Sequence, residues 1–388
     1  MRKTSRVIAA AVACSAILSG SVRGDTDPRL KTFAGEKRRQ TEELAHKLHL
    51  PVPAEAHVFF KAAEAGNWNA VSNSFERISP AQGTNGPLPG FRNVLFEPIH
   101  ETWGAYAEFS QWDGATLQRF ADGILRSIPA GSIYFGGTGS GRFIVTAVRD
   151  VAKSPDIFII TQNGLGFASQ YTDYLRLTHG RRIWIPSEKD VQQAFQQTDY
   201  QMKEADVWEG IVTGLTQSIF EHNKDKHEFY VEESIVIPWM YPYMEPHGLI
   251  LKLNKEPLKE LDPSVVAQDR RYWDGLSKEL LANPKFLGNE WERGVFSKLR
   301  SAIGGVYTYR RMRSEAEVVY QQAVQLYPGD AQASFRLAEL YMIAGRLDDA
   351  VAVLEGLKGH LRASDPLVDR AEAQITDLKR RAADQQSQ

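Results

Sequence analysis

The chain of 388 residues carries 46 Lys and Arg against 48 Asp and Glu, which gives a formal net charge of −2 at pH 7. It contains no basic block of the kind that follows phosphate backbones, so nucleic acid is not expected as a partner. A hydrophobic content of 43% is enough for a sizeable core, and the length suggests two or three domains.

The segment 1–24 has the pattern of an export signal. Arg2, Lys3 and Arg6 precede an apolar run over 7–18, and small residues precede a predicted cut before Asp25. We therefore expect an exported protein that is periplasmic or extracellular. No later apolar run is long enough for a membrane helix, so the processed chain is expected to be soluble and to lack a stable membrane span.

Cys14 is the only cysteine and lies within this predicted signal. A lipoprotein anchored on Cys14 is the alternative, but the apolar run continues beyond it, which argues against that form. Without residues 1–24, which hold four basic residues and no acid, the net charge would be −6. The processed chain would then have no disulfide, thiolate nucleophile or cysteine metal site.

Residues 25–128 are predicted to be a helical N-terminal region. The segment 29–50 is charged and helix-prone, and 54–78 reads as two amphipathic helices joined at Gly66 and Asn67. This hairpin has no similar partner at the spacing of the C-terminal repeat described below, which favours a plain helical hairpin over a repeat unit. A loop rich in proline and glycine is predicted over 79–90, and a helix over 97–127.

Residues 129–290 are predicted to form a small α/β domain. Strands alternate with helices in the order that is typical of a parallel sheet. The predicted strands are 132–135, 157–160, 182–185, 229–236 and 249–253. The predicted helices are 143–151, 168–178, the segment from Ser187 to about Asn223, and 262–281, followed by a bend over 283–290. Asp190 is expected to complete a capping box with Ser187.

A glycine-rich loop follows the first of these strands. The candidate residues for binding an anion through backbone N–H groups are Gly136, Gly137, Gly139, Gly141 and Arg142. A P-loop would need lysine and a hydroxyl where Arg142 and Phe143 stand, and a dinucleotide fingerprint would need glycine at Arg142. The alternative is a tight strand-to-helix turn that needs glycines for its backbone angles.

Two further pairs of polar residues do not form a reaction centre. Glu232 and Glu233 are adjacent in a predicted strand, so they should point to opposite faces, with one facing solvent. Glu245 and His247 offer two metal ligands, but a third is not evident. No complete G-x-S-x-G or H-E-x-x-H motif occurs. We therefore predict no catalytic residue, no metal and no cofactor.

A 34-residue period runs through the C-terminal part of the chain. Ile303, Gly304, Tyr307, Ala316, Tyr320 and Ala323 are matched one period later by Leu337, Ala338, Tyr341, Ala350, Leu354 and Leu357. That period is typical of a helix-turn-helix repeat whose apolar face is buried only by stacking on a neighbour. The predicted units span 297–330 and 331–364. A capping helix is predicted over 365–381 and a disordered tail over 382–388.

These residues resemble the tetratricopeptide repeat family. The chain departs from the family pattern at Arg300 and Ser334, where tryptophan is common, and at Arg362, where proline is usual. About three repeats are normally needed for stability. The two predicted units are therefore expected to be supported by the preceding domain.

In that family the first helix of each unit lines a concave groove that holds a protein or peptide. The resemblance implies that the partner-binding residues are Lys298, Ser301, Thr308, Tyr309, Phe335, Glu339, Met342 and Ile343. This mixture suits an apolar or helical segment. The alternative is a groove filled by the protein's own chain.

The central region also distantly resembles the soluble domain of bacterial membrane proteins related to mannosyltransferases. The resemblance covers 129–190 and 227–260, but Thr138 and Ser140 replace the acidic residues of that family's turn. The whole chain resembles exported bacterial repeat proteins of no assigned activity.

The sequence therefore predicts a mixed α+β fold. A helical N-terminal region and C-terminal tetratricopeptide hairpins would flank a small α/β domain with parallel strands. The leading hypothesis is a non-catalytic interaction or scaffold protein of the bacterial envelope. The alternative is a carbohydrate- or anion-binding domain, with a possible enzymatic role, centred on the loop from Gly136 to Gly141. Trp184, Trp239 and Tyr241 are its candidate sugar-stacking residues.

Overall fold

A computed structural model describes residues 27–80, 87–152, 156–166, 169–197, 204–233 and 235–386. The predicted export signal, Cys14 and part of the predicted 79–90 loop lie outside these residues. The chain divides into two compact units, with the boundary between Trp239 and Met240. This division falls inside the segment 129–290 that the sequence suggests as one central domain.

The first unit is mainly helical and contains three short strands. Its helices are α1 (Pro28–Leu48), α2 (Ala54–Glu64), α3 (Trp68–Ile78), α4 (Phe96–Gln111), α5 (Gly114–Leu125), α6 (Gly139–Ala152), α7 (Gln162–Leu165), α8 (Ser169–Thr178), α9 (Glu188–Gln197) and α10 (Glu204–Asn223). Its strands are β1 (Ile133–Gly136), β2 (Phe158–Thr161) and β3 (Phe229–Val231). A short 3₁₀ helix covers Pro89–Phe91, and another, Pro238–Tyr243, contains the boundary between the two units.

The N-terminal helices share one apolar core. Helix α1 packs against α2, α4 and α6, and Phe33, Phe59 and Phe60 lie fully inside the core. The ring of Trp103 stacks on Phe75 with centroids 4.4 Å apart. Such aromatic pairs contribute about 0.5–1.5 kcal/mol beyond the area they bury, so they help hold α3 against α4.

The predicted helical hairpin over 54–78 is confirmed. Gly66 adopts a φ of 77°, which favours glycine, and the Asn67 side chain accepts from Ala70 N at 3.0 Å to cap α3. The predicted helix over 97–127 is instead two helices. Asp113 starts the second by accepting from Ala115 N at 3.1 Å, so a polar cap breaks an apolar pattern that otherwise reads as continuous.

The three strands of this unit are parallel. Strand β1 is central, with Ile133 opposite Phe158 of β2 and Phe229 of β3. The parallel arrangement is thus confirmed for these three strands, although β3 ends at Val231 and is shorter than predicted. The predicted strand over 249–253 belongs to the second unit and lies in an antiparallel pair. Every residue of these strands is buried, which explains their continuous apolar sequences.

The predicted strand over 182–185 is wrong. Trp184 has no strand partner, because its N–H donates to Asn223 Oδ1 at 2.8 Å and its carbonyl accepts from Asn223 Nδ2 at 2.9 Å. One side-chain amide therefore satisfies the backbone groups that a neighbouring strand would otherwise satisfy. The predicted capping box is confirmed, since Ser187 N donates to Asp190 Oδ2 at 2.8 Å.

The second unit contains an antiparallel strand pair and a run of helices. The strands are β4 (Met244–His247) and β5 (Ile250–Leu253). The helices are α11 (Pro263–Leu281), α12 (Pro284–Leu287), α13 (Glu290–Tyr309), α14 (Arg313–Leu326), α15 (Ala331–Ile343), α16 (Leu347–His360) and α17 (Pro366–Gln386).

Several boundaries in this unit differ from the prediction. Glu245 and His247 lie in β4, and Gly248, with φ of 62°, turns the chain into β5. Helix α13 begins at Glu290 rather than near Ser297, because Asn289 caps it by accepting from Glu292 N. Helix α17 reaches Gln386, so the predicted disordered tail is helical over 382–386. No helix within the described ranges is long and apolar enough to cross a membrane.

Candidate functional site

Helices α13 to α17 form two helical hairpins and a final helix that pack in sequence. Close packing inside the first hairpin depends on Gly304, since a Cβ there would lie 2.7 Å from the ring of Tyr320. Ala338, Ala316 and Ala350 are likewise fully buried. The small residues of the repeat pattern therefore let paired helices approach, as the pattern predicts.

A buried ion pair links the first hairpin to α11. Arg300 Nη1 lies 2.8 Å from Asp269 Oδ1, and Tyr307 donates its hydroxyl to Asp269 Oδ2 at 2.9 Å. Arg300 Nε also donates to Gln322 at 2.8 Å, and the guanidinium lies 5.1 Å from the Trp273 ring centroid. Arg300 thus fills the position where tryptophan is common, and α11 supports the first repeat.

The exposed edge of the stack carries two large apolar side chains. Tyr309, at the end of α13, is 52% exposed, and Ile343, at the end of α15, is 54% exposed. They are separated by one repeat period and so occupy equivalent positions in successive repeats. Their helices, α13 and α15, pack against each other, and we call these two side chains the apolar pair.

The other predicted groove residues of α13 are placed differently. Thr308 is exposed, but its hydroxyl donates to Gly304 O at 2.8 Å, and Lys298 is half-buried. Ser301 is only 2% exposed. We correct the assignment of Ser301, since a side chain inside the core has no surface to offer a partner.

The final helix, α17, covers part of the groove predicted on α15. The guanidinium of Arg370 lies 4.2 Å from the Phe335 ring centroid, and Gln374 Nε2 lies 3.5 Å from Met342 Sδ. Both Phe335 and Met342 are half-buried. Glu339 is exposed and forms an ion pair with Arg336 at 3.1 Å. The protein's own chain therefore occupies one side of the groove and leaves the apolar pair open.

The glycine-rich loop of the first unit is occupied by a carboxylate of the same chain. Glu232 Oε2 accepts from Gly137 N and Thr138 N, each at 3.1 Å, and Glu232 Oε1 accepts from the Thr138 hydroxyl. Glu232 and Glu233 are both buried, so the expectation that one faces solvent is wrong. Burial and the nearby Glu232 carboxylate together raise the pKa of Tyr134 well above its usual value.

Arg142 was predicted to assist anion binding at that loop, but its guanidinium forms buried ion pairs instead. Its Nη2 lies 2.9 Å from Glu97 Oε2 and 3.9 Å from Glu101 Oε1. Burial opposes the charge of Arg142, but the two carboxylates raise its pKa above the usual value. An added anion would have to displace Glu232 from the loop and would gain little from Arg142. These contacts argue against anion binding at the loop from Gly136 to Gly141.

The predicted sugar-stacking aromatic residues already contact the protein. Trp184 stacks on His222 with centroids 3.9 Å apart, and Trp239 Nε1 donates to Thr216 at 3.3 Å. In the second unit, Tyr241 is buried and lies 5.4 Å from the ring of Tyr309. In the part of the chain that the structure describes, no group of three or more His, Cys, Asp or Glu side chains is placed to hold a metal ion.

Comparison with known proteins identifies one segment. Residues 312–375 match the tetratricopeptide repeat family, which covers α14, α15, α16 and the start of α17. The C-terminal repeat is therefore a tetratricopeptide region. No curated protein and no solved structure is significantly similar to the chain. The resemblances to mannosyltransferase-related and exported repeat proteins accordingly have no support.

Proposed function

We propose that this protein is a non-catalytic docking protein that binds a helical segment of a partner protein at the apolar pair, Tyr309 and Ile343. Tetratricopeptide regions act in protein–protein interaction, and this one leaves two large apolar side chains exposed at equivalent positions of adjacent helices. That exposed pair is the observation on which the proposal depends.

The spacing of the pair favours a helical partner. Packed helices lie roughly 8–10 Å apart, so equivalent positions on α13 and α15 should be separated by about that distance. Residues i and i+7 of an α-helix lie on one face about 10 Å apart. A partner helix with apolar side chains at positions i and i+7 would place one beside Tyr309 and the other beside Ile343.

We test this by replacing Ile343 with glutamate. A carboxylate at the contact would have to be desolvated by the partner, so Ile343→Glu should weaken capture of the partner by at least about tenfold. Val58→Glu is the matched control, since Val58 is 55% exposed and lies on α2 of the first unit. Capture is measured by quantitative pull-down, with a photo-crosslinker at position 343 to identify the contacted segment.

The cross-linked segment decides the proposal. A helical segment with apolar residues at i and i+7 supports it. Equal loss of capture in Val58→Glu and Ile343→Glu would contradict it, as would cross-links only between two copies of this chain. Point substitutions are preferable to truncation before Ser297, because truncation would leave Asp269 buried without Arg300.

We further propose that this docking takes place in the bacterial envelope. Its support is the basic and then apolar order of residues 1–24. The lack of a complete catalytic motif in the sequence supports a non-catalytic role.

A further inference from the structure

The first unit contains a partly open cavity of about 310 Å³ whose polar lining has no role in the proposed docking. The cavity lies among α1, α4, α6, α8 and β2. Small-ligand sites have volumes of about 300–1,000 Å³, so this cavity is at the small end of that range.

Most charged groups of the cavity are paired with each other, and Glu36 lies 3.9 Å from Arg39, outside the lining. Lys37 Nζ lies 2.7 Å from Glu101 Oε2 and 3.1 Å from Asp150 Oδ2. Arg149 pairs with Asp150 and donates to Ile157 O at 2.8 Å. A charged ligand would have to break one of these buried pairs, and breaking such a pair is strongly unfavourable. The lining therefore favours a ligand without net charge.

One buried polar group that lines the cavity lacks a partner in the described part of the chain. The Thr161 hydroxyl is buried and has no hydrogen-bond partner. Thr146 and His179 also line the cavity. The Tyr171 hydroxyl accepts from Thr161 N at 2.8 Å. Buried polar groups are normally paired, so the Thr161 hydroxyl points to a polar occupant.

The groups that would meet such an occupant are neutral. Burial, followed by the charge of Arg149, lowers the pKa of His179 to about 4, so its imidazole is uncharged near pH 7. Burial raises the pKa of Tyr171 to about 12, so it keeps its hydroxyl proton. The rings of Tyr171 and Tyr174 lie 6.4 Å apart and within 25° of parallel. The cavity thus combines neutral hydroxyl and imidazole groups with aromatic surface.

We propose that this cavity binds a small neutral polyol of about monosaccharide size, whose hydroxyls pair with Thr146, Thr161, Tyr171 and His179. A polyol both donates and accepts hydrogen bonds, which this mixed set of groups requires. An anion or a cation would meet a lining whose charges are already compensated. This site is separate from the apolar pair and does not depend on it.

The test is calorimetric titration of the full processed chain with glucose, galactose, myo-inositol and glycerol, and with gluconate and glucosamine as charged probes. We expect at least one neutral polyol to bind and the charged probes to bind more weakly. Thr161→Val removes the unpaired hydroxyl at nearly constant volume and should weaken binding by about tenfold. Thr116→Val is the control, since Thr116 is a buried threonine of α5 that does not line the cavity.

Thermal unfolding of each variant verifies that it is folded before titration. The proposal is overturned if no neutral polyol binds at millimolar concentration, since the unpaired Thr161 hydroxyl would then be satisfied by water alone. It is also overturned if a charged probe binds more tightly than every neutral one. Equal affinity of Thr161→Val and the unaltered chain, or an equal loss in Thr116→Val, would also contradict it.

Discussion

Arg300 shows how one unexpected residue can be explained by a distant partner. An arginine in the core of a helical repeat would be unfavourable alone, because burial disfavours its charge and lowers its pKa. Asp269, Tyr307 and Gln322 supply the counter-charge and hydrogen bonds that allow it. The departure from the family pattern therefore marks the place where α11 joins the stack.

Replacing Arg300 should destabilise the second unit. Arg300→Met leaves the Asp269 carboxylate buried without its cation, so we expect a loss of about 3–5 kcal/mol in the free energy of unfolding. The double variant Arg300→Met with Asp269→Asn removes both charges and should recover a large part of that loss. Urea unfolding followed by circular dichroism measures both, and a double variant no more stable than Arg300→Met would contradict the assigned ion pair.

The contacts of single residues differ in how well the sequence predicts them. The Ser187 and Asp190 cap was predictable because both partners lie within one helical turn and follow a known local pattern. The contact of Glu232 with Gly137 and Thr138 joins segments that are far apart in the chain. No local signal connects them, since the contact forms only when β3 aligns beside β1.

At the scale of elements, the turn from β1 into α6 requires its glycines for close packing. A Cβ on Gly141 would lie 1.4 Å from Glu232 Oε2, so the carboxylate would have to move. That carboxylate satisfies the N–H groups of Gly137 and Thr138. The glycine-rich sequence thus leaves space for the Glu232 side chain. This agrees with the alternative to anion binding, in which the loop is a tight strand-to-helix turn.

Gly141→Ala should therefore destabilise the first unit. Displacing Glu232 leaves buried donors without an acceptor, and we expect a loss of about 2 kcal/mol or more. Gly114→Ala is the matched control, since a Cβ there meets no atom within 4 Å and should change stability by less than about 0.5 kcal/mol. Chemical unfolding compares the two, and similar stability of both variants would refute this account of the turn.

Elements with strong periodic patterns were the most predictable. The helices of the C-terminal repeat and the parallel strands β1 and β2 follow from their apolar spacing. The segment 182–185 is short and apolar, and its sequence fits a strand equally well. The side-chain amide of Asn223, from a distant helix, decides its structure, and such a contact cannot be inferred from local composition.

At the scale of the whole molecule, the sequence predicted a partner-binding surface on the repeats but not which of its residues are accessible. The period identified the repeats, and the family resemblance implied that Tyr309 and Ile343 face the groove. It could not show that Ser301 is buried or that α17 approaches Phe335 and Met342, because both depend on helix packing angles. The polar cavity of the first unit was also not predictable, since its lining comes from five separate elements.

The proposed export makes a prediction for the whole chain. If the segment 1–24 acts as a signal, the mature protein should begin at Asp25 and appear in the envelope or extracellular fraction. N-terminal sequencing of protein purified from its native cells, with cell fractionation, measures this. A mature chain that retains residues 1–24 in the cytoplasm would contradict the proposed location.

The exposed charges of helix α17 affect whether copies of this protein can associate through that helix. Its buried side, with Ala371, Ile375 and Leu378, packs on α16, while Lys379 and Arg380 are exposed on its surface. Tandem helical arrays can associate end to end into fibres when an outer helix exposes an apolar face. A second array that packed against Lys379 and Arg380 would have to desolvate these charged side chains, which disfavours association at this part of α17.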